Sequence, residues 1–162
     1  MEIAIISDTH MPRGGRRLPD VCVARLRRAD LIVHAGDLCT LQVLADLQQH
    51  GEVIAVHGNV DDAAVRAALP GTATVNVDGR RIAVIHDAGA ARGRVQRMRR
   101  RFPAADAVVF GHSHIPLHDE DRDGFQIFNP GSPTERRRAP HHTMAVAAVR
   151  DGRLRFELVV LD

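Results

Sequence analysis

Residues 3–10 read Ile-Ala-Ile-Ile-Ser-Asp-Thr-His, so that four consecutive apolar residues lead directly into polar ones. A short apolar run of this kind predicts a strand that is buried on both faces. The aspartate and the histidine then stand at the carboxyl end of that strand. Because ligands bind at the carboxyl ends of strands in open α/β sheets, the stretch predicts a first strand and one edge of a site.

The same alternation continues downstream, with helices between the strands. Amphipathic segments at 20–28, 40–50 and 62–69 predict helices, and apolar runs at 31–34 and 52–56 predict the intervening strands. The order β-α-β-α-β favours a parallel sheet in this part of the chain.

From residue 72 onward, hairpin signals replace this alternation. Asp78-Gly79 and Asp151-Gly152 each stand between two strand-like runs and predict two-residue hairpins. Further strands are expected at 107–110, 116–118 and 125–128, and a basic helix at 92–102. Residues 1–162 are therefore expected to form a single domain with an α/β (α+β) fold. We predict a four-layer αββα sandwich, in which two mixed β-sheets pack face to face and are flanked by helices.

Composition limits the functional classes. A chain of 162 residues with 44% hydrophobic residues can bury one core. No apolar run approaches the roughly 20 residues that span a bilayer, and no signal segment is recognised, so we expect a cytoplasmic protein without membrane contact. The pI is about 9.0, but the formal charge is only +2 and aromatic residues make up 3%. With so few side chains to stack on bases, we do not expect a nucleic-acid partner, and a homo-oligomer stays open.

Nearly every predicted strand of the α/β type ends in a potential metal ligand: Asp8, His10, Asp37, Asn59, His86, His112 and His114. Three of these motifs place Gly directly before the ligand, and Gly permits a close approach of the backbone. Carboxylate, amide and imidazole donors suit borderline to hard divalent ions, manganese first, with nickel, iron and zinc as alternatives. Each motif alone could be an ordinary turn, but five at successive strand ends favour one shared site.

The five motifs, in this order, resemble the five blocks of the calcineurin-like metallophosphoesterases. The resemblance runs from Ile3 to about Ser132, and the short chain with Asn129-Pro130-Gly131-Ser132 is similar to the compact, YfcE-like phosphodiesterase branch. This resemblance implies two divalent ions per chain. Asp8, His10, Asp37 and His114 would hold one ion, and Asp37, Asn59, His86 and His112 would hold the other, with Asp37 bridging.

The resemblance also implies an activity. A metal-bridging hydroxide would hydrolyse small phosphodiesters, and phosphomonoesters as a second class, with Asp37, Asn59 and His112 as catalytic residues. Many family members carry His where this chain has Val60, so the acid that protonates the leaving group is unassigned. His57 and a metal-bound water are both candidates.

Other polar residues lie close in sequence to the motifs. His34 and Asp61 are candidates to orient the ligands, or else ordinary rim and turn residues. Arg136, Arg137 and Arg138 follow the Asn-Pro-Gly-Ser turn and are candidate contacts for a substrate phosphate, since guanidinium pairs well with phosphate. The arginines of the basic helix are expected to form a solvated face.

A binding function is the main alternative to an enzyme. A non-catalytic scaffold of the retromer-subunit type shares the implied fold, and such a module tolerates the loss of metal ligands. All seven ligand positions here carry competent side chains, which favours the enzyme.

Overall fold

Ten strands and four α-helices follow one another along the chain, and the computed structural model describes all residues from 1 to 162. The first half contains β1 (Glu2–Ile6), a 3-10 turn (Arg13–Gly15), α1 (Asp20–Arg28), β2 (Leu31–His34), α2 (Leu41–Gln48), β3 (Val53–Ala55) and α3 (Ala63–Ala68). The second half contains β4 (Thr72–Val77), β5 (Arg80–Ile85), α4 (Arg94–Arg101), β6 (Ala107–Val109), β7 (Leu117–Glu120), β8 (Gln126–Asn129), β9 (Thr143–Arg150) and β10 (Arg153–Val160).

The strands form two five-stranded sheets. The first sheet has the order β10-β9-β1-β2-β3 and the second β4-β5-β6-β8-β7. In each sheet three neighbouring strands are parallel, namely β1, β2 and β3 in the first and β5, β6 and β8 in the second. The remaining strands are antiparallel to their neighbours. Both sheets are therefore mixed, as predicted.

The core separates into three apolar layers because side chains alternate between the two faces of each strand. Ile3 and Ile5 of β1 pack between the two sheets, where they meet residues of the second sheet such as Val84. Ala4 and Ile6 point the other way, toward α1, α2 and α3. On the outer face of the second sheet, α4 contributes Val95 and Met98 to a third layer. This arrangement confirms the predicted αββα sandwich.

Local signals explain where several elements begin and end. In both predicted hairpins, Asp78-Gly79 and Asp151-Gly152, the two turn residues have positive φ, between 46° and 84°, as a two-residue hairpin turn needs. The basic helix begins at Arg94 and not at residue 92, because Gly93 has a left-handed φ of 68°. The strand expected at 116–118 lies instead at Leu117–Glu120.

The topology places the loops after six parallel strands at one end of the sandwich. The parallel strands β1, β2 and β3 end there in the first sheet, and β5, β6 and β8 end there in the second. None of the four helices is long and apolar enough to cross a lipid bilayer.

Candidate metal centre

The seven candidate ligands come together from loops of both sheets. Asp8 and His10 follow β1, Asp37 follows β2, Asn59 follows β3, His86 follows β5, and His112 and His114 follow β6. Backbone hydrogen bonds hold these loops side by side: Asp8 N donates to Gly36 O at 3.0 Å, and Gly111 N donates to His86 O at 2.9 Å. The convergence of strand ends therefore occurs across the two sheets, not within one sheet.

Asp8, His10 and His114 form what we call the inner group. All three are buried. His114 Nε2 lies 3.5 Å from Asp8 Oδ1, and His10 Nε2 lies 3.4 Å from Asp37 Oδ2. Both Nε2 atoms are buried without a hydrogen-bond partner. A buried polar atom without a partner costs about 1–3 kcal/mol, and a cation bound between these nitrogens and carboxylates would remove that cost. The donor set thus fits a metal ion.

Asn59, His86 and His112 form what we call the outer group. His86 Nε2 lies 3.0 Å from Asn59 Oδ1 and 3.2 Å from Asp37 Oδ2. His112 Nδ1 lies 3.1 Å from the same Asn59 oxygen. Asn59 and His112 are exposed, so this group opens to solvent, whereas the inner group does not.

Asp37 lies between the two groups. Its Oδ2 atom is within 3.4 Å of His10 Nε2 and within 3.2 Å of His86 Nε2. Asp8 also reaches toward both, because its Oδ1 is 4.0 Å from His86 Nε2. Either carboxylate could thus be shared between two ions, whereas the family resemblance implied this role for Asp37 alone.

The backbone is unusual at the candidate ligands. Five of them have left-handed φ values: Asp8 (56°), His10 (47°), Asp37 (62°), His112 (68°) and His114 (61°). Residues other than Gly seldom adopt such values, and each costs on the order of 1–3 kcal/mol. Strain of this kind persists where the surrounding structure enforces it, and it is typical of functional sites.

The glycines before the ligands are required by close packing. A Cβ atom on Gly58 would lie 2.1 Å from Asp37 Oδ1. On Gly111 it would lie 1.9 Å from Ser7 Oγ and 2.6 Å from Asp8 Oδ2. The sequence predicted close approach of an ion or a phosphate, but what lies against these two glycines is the side chain of a neighbouring candidate ligand.

Burial and the neighbouring charges shift the pKa values of the ligands. Burial raises the pKa of Asp8 to about 6, although the charge of His86 acts against it. Burial also acts to raise the pKa of Asp37, but the neighbouring rings of His10 and His86 outweigh it and hold that pKa far below the ordinary value. Burial acts to lower the pKa of His86, and the Asp37 and Asp8 carboxylates outweigh it, so that this pKa is raised. Burial lowers the pKa of His114 to about 4, so its ring is neutral and able to bind a cation near pH 7.

His34 and Asp61 bond to the ligand-bearing loops, not to the ligand side chains. His34 Nδ1 accepts from Gly36 N at 3.1 Å, which leaves the proton on Nε2, 3.0 Å from Thr9 Oγ1. Burial lowers the pKa of His34 to about 3, so the ring is neutral. The Asp61 carboxylate accepts from the backbone N–H groups of three residues in the loops after β2 and β3, namely Asp37, Cys39 and Gly58.

The remaining predicted residues have different surroundings. His57 lines an open pocket of about 320 Å³ together with Asn59 and His86. Arg136 donates to Ala139 O at 2.7 Å, and Arg138 is exposed. Between them, Arg137 directs a guanidinium N–H toward His112 O at 3.4 Å, so it is Arg137 that contacts a candidate ligand residue.

Sequence reasoning missed the residues that fix the loops. Ser132 Oγ donates to Asp8 O at 2.8 Å, and Asn129 Nδ2 donates to Gly111 O at 2.8 Å. In the sequence the Asn-Pro-Gly-Ser stretch carries only a family resemblance, whereas in the structure it holds the loops after β1 and β6. Glu135, whose carboxylate lies near His10 and His114, carried no signal in the sequence.

The expected solvated face of α4 is incomplete. Arg94 donates to Gly89 O, and Arg97 donates to Ala88 O and Ala90 O. These two arginines are half-buried and hold the loop that follows His86, whereas Arg100 and Arg101 are exposed.

Comparisons with known sequences show which family the chain resembles. Residues 1–152 match the family model described as the calcineurin-like phosphoesterase superfamily domain. A protein of Methanothermobacter thermautotrophicus named "Probable metallophosphoesterase" is 34% identical over 136 residues, which cover 83% of this chain and 78% of the relative.

Solved structures show the same architecture. A Thermotoga maritima protein determined by NMR in solution is 30% identical, with a TM-score of 0.77 and 99% of each chain covered. Wild-type Vps29 of Entamoeba histolytica complexed with zinc is 22% identical, with a TM-score of 0.78 and 100% of each chain covered. At 22% identity, the second likeness shows the fold alone.

Proposed function

The chain belongs to the calcineurin-like phosphoesterase superfamily, as its five motifs predicted, and we propose that it is a phosphoric ester hydrolase that acts on small phosphodiesters with two divalent ions. The observation that carries the proposal is the pair of buried, unpartnered Nε2 atoms of His10 and His114, one from each sheet, which face the carboxylates of Asp37 and Asp8.

The proposed ion sites follow the two groups. Asp8, His10, Asp37 and His114 would hold one ion, and Asp37, Asn59, His86 and His112 the other. Mixed oxygen and imidazole donors without a thiolate suit manganese first, and nickel, iron or zinc as alternatives. Ions bound there supply Lewis-acid polarisation of the phosphoryl oxygens and hydroxide at neutral pH.

The buried and the exposed side chains have different proposed roles. Burial acts to raise the pKa of Asp37, but the neighbouring His10 and His86 rings outweigh it and hold that pKa far below the ordinary value, so Asp37 remains ionised across the physiological range. Asn59 and His112 are exposed at the outer group, so an incoming ester meets them first. Each can donate a hydrogen bond to a phosphoryl oxygen as charge develops there. The Arg137 guanidinium, held at His112 O, adds positive charge where a phosphate would bind.

The departure of the leaving group needs a proton donor that Val60 cannot supply. Val60 instead donates its backbone N–H to Asp37 Oδ1 at 3.0 Å. His57, which lines the pocket that also contains Asn59 and His86, and a metal-bound water are the candidate donors, and neither takes the position of the missing imidazole at residue 60. Phosphodiesters with a good leaving group are the favoured substrates, and phosphomonoesters are a second class.

A non-catalytic binding module of the same fold is the second candidate, and the likeness to Vps29 is compatible with it. A module that only binds a partner has no need of seven competent metal ligands, and all seven are present here. We therefore favour the enzyme, acting in the cytoplasm on a small ester and not on nucleic acid.

Elemental analysis combined with a substrate panel separates these candidates. The metal-free protein is reconstituted with manganese, its metal content is measured, and aryl phosphodiesters and phosphomonoesters are assayed. We expect about two ions per chain and faster hydrolysis of the diesters. Bound metal without hydrolysis of any ester would favour the binding module, and no bound metal would refute both ion sites.

A further inference from the structure

The Glu135 carboxylate lies behind both histidines of the inner group. Its Oε2 atom is 3.7 Å from His10 Nδ1 and 3.8 Å from His114 Nδ1. The Nε2 atoms of the same rings face Asp37 and Asp8. The side chain of Glu135 is 28% exposed, so its charge is only partly screened by water. The carboxylate therefore lies behind two buried rings, on the side opposite to the proposed ion, while its Oε1 atom forms an ion pair with Arg16.

Several contacts hold Glu135 in this position. Its backbone N–H donates to Ser132 Oγ at 2.9 Å, and its carbonyl oxygen accepts from His114 Nδ1. Its Oε1 atom accepts from Arg16 at 2.8 Å, and Arg16 in turn donates to Arg13 O at 2.9 Å. The carboxylate is thus fixed between the loop after β1 and the loop after β8.

The contact between His114 and the Glu135 carbonyl fixes the ring. Because a carbonyl oxygen only accepts, Nδ1 of His114 carries the proton and Nε2 keeps its lone pair toward Asp8. A carboxylate near Nδ1 favours the same tautomer in His10. Such a carboxylate also makes the other ring nitrogen a stronger ligand.

The outer group has no comparable carboxylate. His86 Nδ1 is 2.7 Å from Ala35 O, a neutral carbonyl. His112 is exposed, and its Nδ1 faces the Asn59 amide oxygen. The two groups therefore differ in burial, and only the histidines of the inner group have a carboxylate behind them.

We propose that Glu135 is a positioning residue that orients both inner histidines and strengthens the inner group, so that the first ion binds there and the second binds more weakly in the outer group. This inference rests on the proposed metal function. Residues that orient metal-binding histidines in this way typically contribute about 10- to 100-fold in affinity.

Calorimetric titration of the metal-free protein with Mn²⁺ tests the proposal. The unmodified protein is expected to bind in two steps. Glu135→Gln keeps the size of the side chain and removes its charge. We expect it to lower the Mn²⁺ affinity of the first step by about 10- to 100-fold and to leave the affinity of the second step unchanged. Glu135→Asp keeps the charge, and we expect the affinity of its first step to lie closer to that of the unmodified protein.

Glu157→Gln is the matched control. Glu157 is exposed on β10 and makes no side-chain hydrogen bond or ion pair, so the variant loses the same charge far from the candidate ligands. We expect both binding steps to be unchanged. Equal weakening in the control and in Glu135→Gln would assign the effect to net charge and would overturn the proposal.

Histidine NMR gives a second measurement that does not depend on activity. In the metal-free protein, ¹⁵N–¹H correlations should show Nδ1–H on both inner rings. In Glu135→Gln, His10 should become a mixture of tautomers while His114, bonded to the backbone carbonyl, should not change. Unchanged first-step affinity and an unchanged His10 tautomer would overturn the role of Glu135. A protein that takes up no ion at all would refute the proposed function itself.

Discussion

Replacing Asp61 with alanine tests how the loops that carry the candidate ligands are held. The Asp61 carboxylate accepts from Asp37 N at 3.1 Å, from Cys39 N at 2.6 Å and from Gly58 N at 2.6 Å. Asp61 is buried, so Asp61→Ala would leave three N–H groups without their acceptor. Each orphaned group costs about 1–3 kcal/mol, and water entering the gap offsets part of the sum.

We therefore expect Asp61→Ala to lower the free energy of unfolding of the metal-free protein by about 3–5 kcal/mol. For a chain of this length, that corresponds to a fall in Tm of about 6–20 °C. Asp61→Asn should cost about 2–3 kcal/mol, because the amide oxygen replaces one acceptor and the NH₂ group meets a backbone N–H. Urea titration followed by circular dichroism measures both variants.

Asp62→Ala is the control, because it changes the same residue type at the next position. The Asp62 side chain accepts only from Val65 N, at 2.8 Å, as the cap of α3. Loss of such a cap costs about 1 kcal/mol. If Asp61→Ala were no more destabilising than Asp62→Ala, the carboxylate of Asp61 would not be holding the two loops together.

Three further predictions concern the candidate metal centre. In Asp37→Asn the new residue tolerates the left-handed φ of 62°. The variant should hydrolyse esters no faster than the metal-free protein, and its circular dichroism spectrum should be unchanged. A variant that remains active would place the catalytic ions elsewhere. Val60→His should narrow the difference in rate between aryl and alkyl phosphodiesters by up to about 10²-fold, because the new imidazole can protonate the leaving group. A plot of log rate against the pKa of the leaving group measures this. A plot that is already flat for the unmodified protein would mean that an acid is in place. Burial raises the pKa of Asp8 to about 6, and the carboxylates outweigh burial to raise that of His86, so protons compete with the ion below pH 6 and the affinity for Mn²⁺ should fall by at least about tenfold per pH unit. Calorimetry in two buffers of different ionisation enthalpy should detect the released protons, and an affinity independent of pH would contradict the competition.

The sign of this pH effect also fixes how the stability of the metal-free protein changes. The folded pKa of Asp8 is raised from 3.8 to about 6, since burial disfavours the charged form. Its contribution to stability is therefore complete below about pH 4 and is lost as the pH rises through 6. The metal-free protein carries an unfavourable buried charge at neutral pH, which a bound cation would compensate.

The fold was predictable because its signals are local. The apolar run at β1, the helix periodicity of α1 and the Asp-Gly hairpins each depend on neighbouring residues only. The start of α4 was misplaced by two residues because Gly93 adopts a left-handed φ, which a basic and amphipathic pattern does not reveal. The inward packing of Arg94 and Arg97 was missed for a related reason, since the carbonyl groups they satisfy belong to an irregular loop.

The ligand residues of the candidate site were predictable, but the contacts that hold them in place were not. The ligands could be named from their positions at strand ends, yet nothing local indicates that Asp8 and His112 adopt left-handed backbone conformations. That strain is imposed by contacts between distant loops, such as the bond from His112 N to Asp8 Oδ2 at 3.0 Å. Glu135 is 125 residues from His10 in sequence, and only the folded chain places the two side by side.

Each proposed ion site draws ligands from both sheets. In the inner group, Asp8 and His10 come from the first sheet and His114 from the second. In the outer group, Asn59 comes from the first sheet and His86 from the second. An ion in either group would therefore cross-link the two halves of the sandwich at the end where the apolar layer between them stops. Cross-linking of this kind ties metal content to folding, because an ion at 100 times its Kd adds about 2.7 kcal/mol to stability. The fraction of chains that are folded would then rise and fall with the supply of metal.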